Sequence, residues 1–356
     1  MEKTIKLFVI SMVIFAAMLI IPMISNAATF ITDEESLRDA VSVADSGATI
    51  TLQGDITVSQ PIVIAKELTI DGNGHTITGS SQWTSTSGNQ TMFTAQFSDA
   101  RLTLKNIKLM NGPKYGVQSY DGATVILDNV SITGFNYGGV LANGGNVEVK
   151  NLHLGYNGTN ANNGIEIDKG ASATNHPTLT MNGVLTSDYN ENVVRAAENG
   201  HLTEFTVTNT DTTTNKVVIA GDKVVLTDKD NNVISETEVP DKATVNADEQ
   251  KVVVTLIAGD KTNKIVVNPG QTITADLLKS HIALEENYTI DGFFTDAEFV
   301  NEFNFSDPID ADTTIYAKVS KVENELPNET IPEEEVKYET PKTGTENYLG
   351  IAIITI

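Results

Sequence analysis

Between residues 100 and 200 the chain repeats itself, and this repeat constrains the fold more tightly than any other feature of the sequence. Runs of alternating apolar residues arrive at an asparagine four times, at Asn106, Asn129, Asn151 and Asn182, after steps of 23, 22 and 31 residues. Each asparagine leads into a second run and then a third, over residues 115–122, 137–144, 163–170 and 192–200. A unit of three short strands and three turns cannot bury its own apolar side, so it must stack on copies of itself. Alternation turns Leu102, Leu104, Ile107 and Leu109 inward over Val125, Leu127, Val130 and Ile132. Those in turn lie over Val147, Val149, Leu152 and Leu154. Asparagine suits the sharp corner because it tolerates the left-handed backbone region, and its amide can bond the asparagine of the next coil. The expected body is all-β, a parallel β-helix.

Upstream, Leu37, Ala40, Val41 and Ala44 share one face of a short helix, with Thr32 and Glu35 as its capping box and Gly47 at its end. Short β-branched runs follow at residues 48–52, 56–58, 62–64 and 68–70. The Gly72–Gly74 pair reads as a turn, because no helix follows for a nucleotide loop.

The stacked units, the Leu68-Thr-Ile-Asp-Gly-Asn-Gly-His-Thr-Ile77 opening and the preceding helix together resemble the pectate-lyase-like superfamily of right-handed parallel β-helices. The resemblance covers roughly residues 30–210 and implies an N-terminal capping helix. It specifies fold well and activity poorly, because that fold carries lyases, hydrolases, epimerases and adhesins.

In that superfamily chemistry lies on the strand after the longest turn. Here alternation puts Val117, Val140, Ile165 and Val194 inward on that strand. Gln118, Leu141, Glu166 and Arg195 form one outward row, and Tyr120, Asn143 and Asp168 form the next. Glu166, Asp168 and Arg195 are the candidate catalytic set: two carboxylates on one face that can hold Ca²⁺ or divide acid and base roles, with an arginine one coil along. The competing reading is a surface ion pair between Glu166 and Arg195. Gln118, Tyr120, Asn143, Glu166 and Asp168 also suit a sugar ligand, with Tyr115, Tyr137 and Tyr156 near the same turns. A lyase wants more calcium-binding aspartates and more basic groups than this row offers, so the balance leans away from an enzyme.

Charge and composition narrow the partners. The chain carries 47 acidic against 23 basic residues, which repels nucleic acid and anionic lipid. With no cysteine, disulfides and thiolate chemistry are excluded. His75, His153, His176, His201 and His281 lack metal-ligand spacing, so no metal or cofactor is expected, apart from Ca²⁺ if the chain is a lyase.

Residues 216–247 change character and read as a β-connector or a C-terminal cap. Over residues 248–320 a strand, a short helical segment near Thr274 and a run rich in Phe and Tyr (residues 288–319) resemble the Listeria–Bacteroides repeat, also called the internalin B-type repeat, a small β-grasp-like module. The usual Gly-Trp is Gly292-Phe293 here, and Phe293, Phe294, Phe303, Phe305 and Tyr316 are assigned to its core.

The two ends carry targeting signals. Lys3 and Lys6, an apolar run over residues 7–21 and the small residues before Ala27 describe a signal peptide over residues 1–27, cut between Ala27 and Ala28. Residues 321–339 form an acidic, Pro- and Glu-containing spacer expected to be a disordered stalk. Residues 340–356 follow it, opening Thr340-Pro-Lys-Thr-Gly344, and resemble a Leu-Pro-x-Thr-Gly sorting signal with Thr340 in place of leucine. That resemblance implies sortase cleavage between Thr343 and Gly344, and peptidoglycan as partner. The last apolar run is shorter than a membrane span of ~20 residues, so the sorting segment is expected to continue beyond Ile356. Membrane contact would be transient, through the two terminal segments. The combined expectation is a protein on the cell-wall surface of a Gram-positive-type bacterium, an adhesin or carbohydrate-binding protein meeting a glycan or host-surface ligand. The alternative is a polysaccharide lyase or glycoside hydrolase.

Overall fold

A computed structural model describes residues 30–156, 163–189, 191–197, 201–211, 213–241, 243–247 and 250–322. Ala27, Ala28, Thr343, Gly344 and residues 323–339 of the acidic spacer lie outside the described residues. No helix among the described residues is long and apolar enough to cross a membrane.

The chain winds as a parallel β-helix with three faces. Face one begins with Ala48–Thr51 and Glu67–Asp71, continues through the first halves of Arg101–Gly112, Thr124–Phe135, Asn146–Gly155 and Thr178–Ser187, and ends with Glu204–Asn209 and Thr244–Ala247. Face two pairs Ile56–Val58 with Thr76–Gly79 and then with the second halves of the long strands. Face three stacks Ile62–Ile64, Phe93–Gln96, Tyr115–Tyr120, Gly138–Asn143, Asn163–Asp168 and Val194–Ala196.

The inward rows fall in the register that alternation dictates. Leu102 sits beside Val125 and Val147, Leu104 beside Leu127 and Val149, Ile107 beside Val130 and Leu152, and Leu109 beside Ile132 and Leu154. None of these side chains is more than 3% exposed. Stacking therefore supplies the burial that one coil cannot provide for itself.

The asparagine corner is shorter than the repeat suggests. Asn106 and Asn129 take φ of 50° and 58° and bend their strands from face one to face two. Asn129 Nδ2 donates to Asn106 Oδ1 at 2.9 Å, and Asn106 Nδ2 donates to Asp71 Oδ1 at 3.2 Å. Asn151 and Asn182 do not continue this ladder and do not adopt positive φ. The register shifts beside Asn151, and Thr178–Ser187 fits one extra residue between Met181 and Leu185, so Asn182 turns to Glu148 at 3.2 Å instead.

Both ends of the core are closed. At the start, helix α1 (Glu34–Val43) lays Leu37, Ala40, Val41 and Ala44 on the first coil. Its capping box is one residue later than Thr32 and Glu35: Asp33 accepts from the Ser36 N–H at 2.8 Å, and the Ser36 hydroxyl answers the Asp33 N–H at 3.3 Å. At the far end an antiparallel meander, Lys216–Ala220, Lys223–Thr227 and Val233–Glu238, turns Val217, Ile219, Val224 and Leu226 onto the last coil. The chain then rejoins face one as Thr244–Ala247, beside Glu204–Asn209. The meander is thus a cap inserted before the last rung.

The following module joins the cap directly. Gln250–Ala258 pairs with Lys216–Ala220 at its start and with Lys261–Val267 and Thr313–Lys321 further on. Helix α2 (Ala275–Ser280) and the edge strand Tyr288–Phe294 complete a β-grasp-like arrangement. Val218, Ala220 and Val225 on the back of the meander share a small core with Val253 and Val266. Phe293, Phe303 and Phe305 pack into the module as expected, whereas Phe294 and Tyr316 do not belong to its core. They sit opposite each other on neighbouring strands, where alternation after inward-facing Phe293 and Ile315 turns both outward, and Phe294 packs on Phe299.

Candidate functional site

The outward side of face three carries the candidate residues in two rows across successive coils. The first reads Thr94, Gln118, Leu141, Glu166 and Arg195, and the second Gln96, Tyr120, Asn143 and Asp168. Beneath them the inward partners Val117, Val140, Ile165 and Val194 are all 2% exposed or less.

The structure divides these residues into two groups. Gln118, Tyr120 and Asn143 come together with Thr94, Gln96 and Leu141 on the floor of a cleft of about 380 Å³. Gly88, Asn89 and Thr91 wall one side, and Lys114 and Tyr115 also line it. Glu166, Asp168 and Arg195 lie beyond this cleft along the helix axis.

Hydrogen bonds fix the cleft. Thr91, 1% exposed, approaches Gln118 Oε1 with its hydroxyl at 3.5 Å, while its N–H donates to Asn89 Oδ1 at 3.2 Å. Asn143 Oδ1 accepts from the Gly170 N–H at 2.6 Å, which leaves the Asn143 NH₂ for a ligand. The long turn carrying Gly170 is clasped by Asp121, whose Oδ1 accepts from both N–H groups and both side chains of Thr174 and Asn175 at 2.7–3.0 Å. Those bonds hold the Asp121 carboxyl below its ordinary pKa. Lys114 Nζ donates to the Gly88 carbonyl at 2.8 Å and lies 5.6 Å from the Tyr137 ring centre. Tyr137 in turn meets Tyr115 edge-on at 5.9 Å.

The proposed catalytic set is not assembled as a working pair of carboxylates. Glu166 is buried, and its Oε2 accepts from the Tyr115 hydroxyl at 2.8 Å and from Asn163 Nδ2. Arg195 stands beside Glu166 in register, yet its Nη1 reaches Asn163 Oδ1 at 3.4 Å, and no ion pair joins it to Glu166. The surface ion pair foreseen from the sequence is therefore replaced by a network through Asn163. Burial, reinforced by the Glu166 charge and hydrogen bond, pushes the Tyr115 hydroxyl pKa far up, so it stays a neutral donor.

Asp168 is the titratable group of most interest. Burial raises its pKa from 3.8 to about 6, opposed by the Lys169 N–H bond and assisted by the Glu166 charge. The folded chain thus holds this proton more tightly than the unfolded chain does. Its stabilising effect is complete below about pH 4 and is lost as pH rises through about 6. Asp168→Asn should therefore raise the melting temperature at pH 7 and leave it nearly unchanged at about pH 4. Equal shifts at both pH values would contradict this account.

Histidines pair singly rather than in clusters: His75 with Asp55 at 3.2 Å, His153 with Asp188 at 3.6 Å and His176 with Glu204 at 3.8 Å. Among the described residues no three His, Asp or Glu side chains are placed to hold a metal ion.

The sequence alone missed Asn89, Thr91, Thr94, Gln96 and Lys114. Thr94 and Gln96 were within reach of register reasoning, since Phe93–Gln96 is one more strand of face three. Asn89 and Thr91 belong to the turn from face two to face three, which at residues 80–92 is longer than the corresponding turns at 113–114 and 136–137.

Residues 28–163 match the family model described as "Putative pectate lyase-like adhesive domain". No curated protein matches the chain. Every residue lining the cleft falls inside the matched stretch, while Glu166, Asp168 and Arg195 fall after it. Over the matched residues the chain is similar to that adhesive family. The match and the stacked parallel sheets together fit a pectate-lyase-like β-helix.

Proposed function

We propose that this is an exported, wall-anchored adhesin that binds carbohydrate in the cleft on face three. The observation that carries this reading is the lining of the cleft. Amides, hydroxyls and tyrosines face a space of about 380 Å³ over an apolar floor at Leu141, and no carboxylate is among them. Such a surface offers directional hydrogen bonds and aromatic contact without a group placed to cleave a glycosidic bond. In this reading the module after residue 248 is a Listeria–Bacteroides-type repeat that serves as a spacer. The N-terminal leader directs export, and a sortase joins Thr343 to peptidoglycan on a Gram-positive-type cell wall. Mass spectrometry of wall-released protein should find a chain running from Ala28 to Thr343. An intact Thr343–Gly344 bond there would remove the anchoring step.

On a glycan array the chain should bind without cleaving. Gln118→Ala and Asn143→Ala should each weaken binding about two- to tenfold, the loss of one hydrogen bond of ~0.5–1.5 kcal/mol. Undiminished binding in both variants would move the ligand elsewhere.

The raised pKa of Asp168 supports a second reading, a polysaccharide lyase or hydrolase in which Asp168 supplies a proton and Arg195 steadies an anionic substrate, with or without Ca²⁺. Turnover of a uronan or neutral polysaccharide, lost in both Asp168→Asn and Arg195→Ala, would establish it in place of the first.

A further inference from the structure

A second groove lies around the corner from the cleft, where face two turns toward face three. It holds about 630 Å³ and is lined by Thr57, Thr78, Ser81, Trp83, Asn111 and Asn136, together with neighbouring turn residues. None of its lining residues is charged, although the chain carries a net charge of −24. The groove runs along the helix axis. Thr57 and Thr78 are neighbours on successive strands of face two, and Asn111 and Asn136 follow on the next two coils. Three steps between coils at ~4.8 Å give it a length of about 14 Å.

The groove presents hydrogen-bonding groups that the fold does not use. Among the described residues, the side chains of Thr57, Thr78, Ser81 and Asn136 make no hydrogen bond within the chain. Trp83, by contrast, is held in place: it is 8% exposed, packs on the core and donates from Nε1 to Gln90 Oε1 at 2.6 Å. The residues around Trp83 (80–92) form the partition between the groove and the cleft, since Gly88, Asn89 and Thr91 line the latter.

The chemistry selects a class of ligand. An anion would find no cation here and would face the negative field of the whole chain. A cation would find no carboxylate. A purely apolar ligand would strip water from hydroxyls and amides without replacing their bonds. A neutral polyhydroxylated chain satisfies the free hydroxyls and amides and lies along the coils against one edge of Trp83.

We propose that this groove is a second binding site, for a short neutral oligosaccharide, separate from the cleft on face three. The inference rests on the reading of the chain as carbohydrate-binding, but not on the cleft being occupied.

Trp83 is the only tryptophan in the chain and lines this groove and not the cleft, so its emission reports on the groove, and the cleft replacements below control for transmission through the shared partition. The full chain would be titrated with neutral gluco-, galacto-, manno- and N-acetylglucosamine oligomers while tryptophan emission and the heat of binding are recorded together. The expected result is a saturable emission change that survives the double replacement Gln118→Ala, Asn143→Ala. The same change should need at least tenfold more sugar in the double replacement Ser81→Ala, Asn136→Ala. Ser81 is an exposed turn residue and Asn136 a half-buried residue at a bend, and circular dichroism would verify their fold. Heat of binding with no change in emission would overturn this site and leave the cleft standing. An emission change abolished by the cleft replacements and untouched by the groove replacements would do the same. No heat with any oligomer would overturn both sites.

Discussion

Alanine at position 183 should destabilise the β-helix by about 3 kcal/mol or more, a large effect for one added methyl group. Gly183 lies in Thr178–Ser187, beside the register shift where that strand fits an extra residue against Asn146–Gly155. A Cβ built there would land on the Lys150 carbonyl oxygen of the coil below. That oxygen is backbone, so relief requires the two coils to separate, and the inward rows above and below would lose their contacts together. The control is Gly54→Ala, where the nearest atoms, all of Thr32, are 3.5–3.8 Å away and an alanine fits. Thermal or chemical unfolding of the two variants is the measurement. A Gly183→Ala midpoint as high as that of Gly54→Ala would mean that the coils are not packed this closely.

Leu226→Asp should be at least as damaging, by a different route. Leu226 is 1% exposed and points from the meander onto the last coil of the helix. A carboxylate there has no partner, and burying it unpaired costs several kcal/mol. The cap should lift, baring the apolar end and the strands that close it, and the chain should self-associate through them. Ile234→Asp is the comparison. It lies in the same meander but is 45% exposed, so its effect should stay within about 0.5 kcal/mol. Light scattering during heating separates the two outcomes. A monomeric Leu226→Asp chain of ordinary stability would show that the meander does not act as a closure.

The parts of the fold legible in the sequence were those governed by strict alternation over a repeated unit. Leu104, Leu127 and Val149 could be set over one another because each coil counts the same number of residues to its corner. The same counting put Gln118 beside Leu141 and Tyr120 beside Asn143. Counting failed at Asn182, where the strand gained a residue, and at Asn151, where the register shifts without a gain, and so the asparagine ladder was drawn through both when it stops at Asn129. The helix starts one residue later than the Thr32–Glu35 box placed it: the cap falls to Asp33 and Ser36, while Glu34 is engaged with Arg38 at 2.7 Å and the Ser59 hydroxyl at 2.8 Å.

The candidate site was legible in its rows and illegible in its depth. Glu166 looked exposed because it points outward, yet Tyr115, 51 residues earlier in the chain, reaches across two coils to cover it. No local pattern encodes that contact. The wall of the cleft comes from a turn longer than the corresponding turns at 113–114 and 136–137, so periodicity passed over it. Phe294 and Tyr316 were assigned to the core by composition, where alternation with Phe293 and Ile315 would have turned them out.

The meander has two apolar sides, and each belongs to a different neighbour. Val217, Ile219, Val224 and Leu226 serve the β-helix, while Val218, Ala220 and Val225 serve the following module. There is consequently no seam along which this chain can be divided. A fragment that stops before residue 250 keeps its lid but leaves the outer side of the lid wet. One that begins after the lid lacks the strand on which Gln250–Ala258 starts.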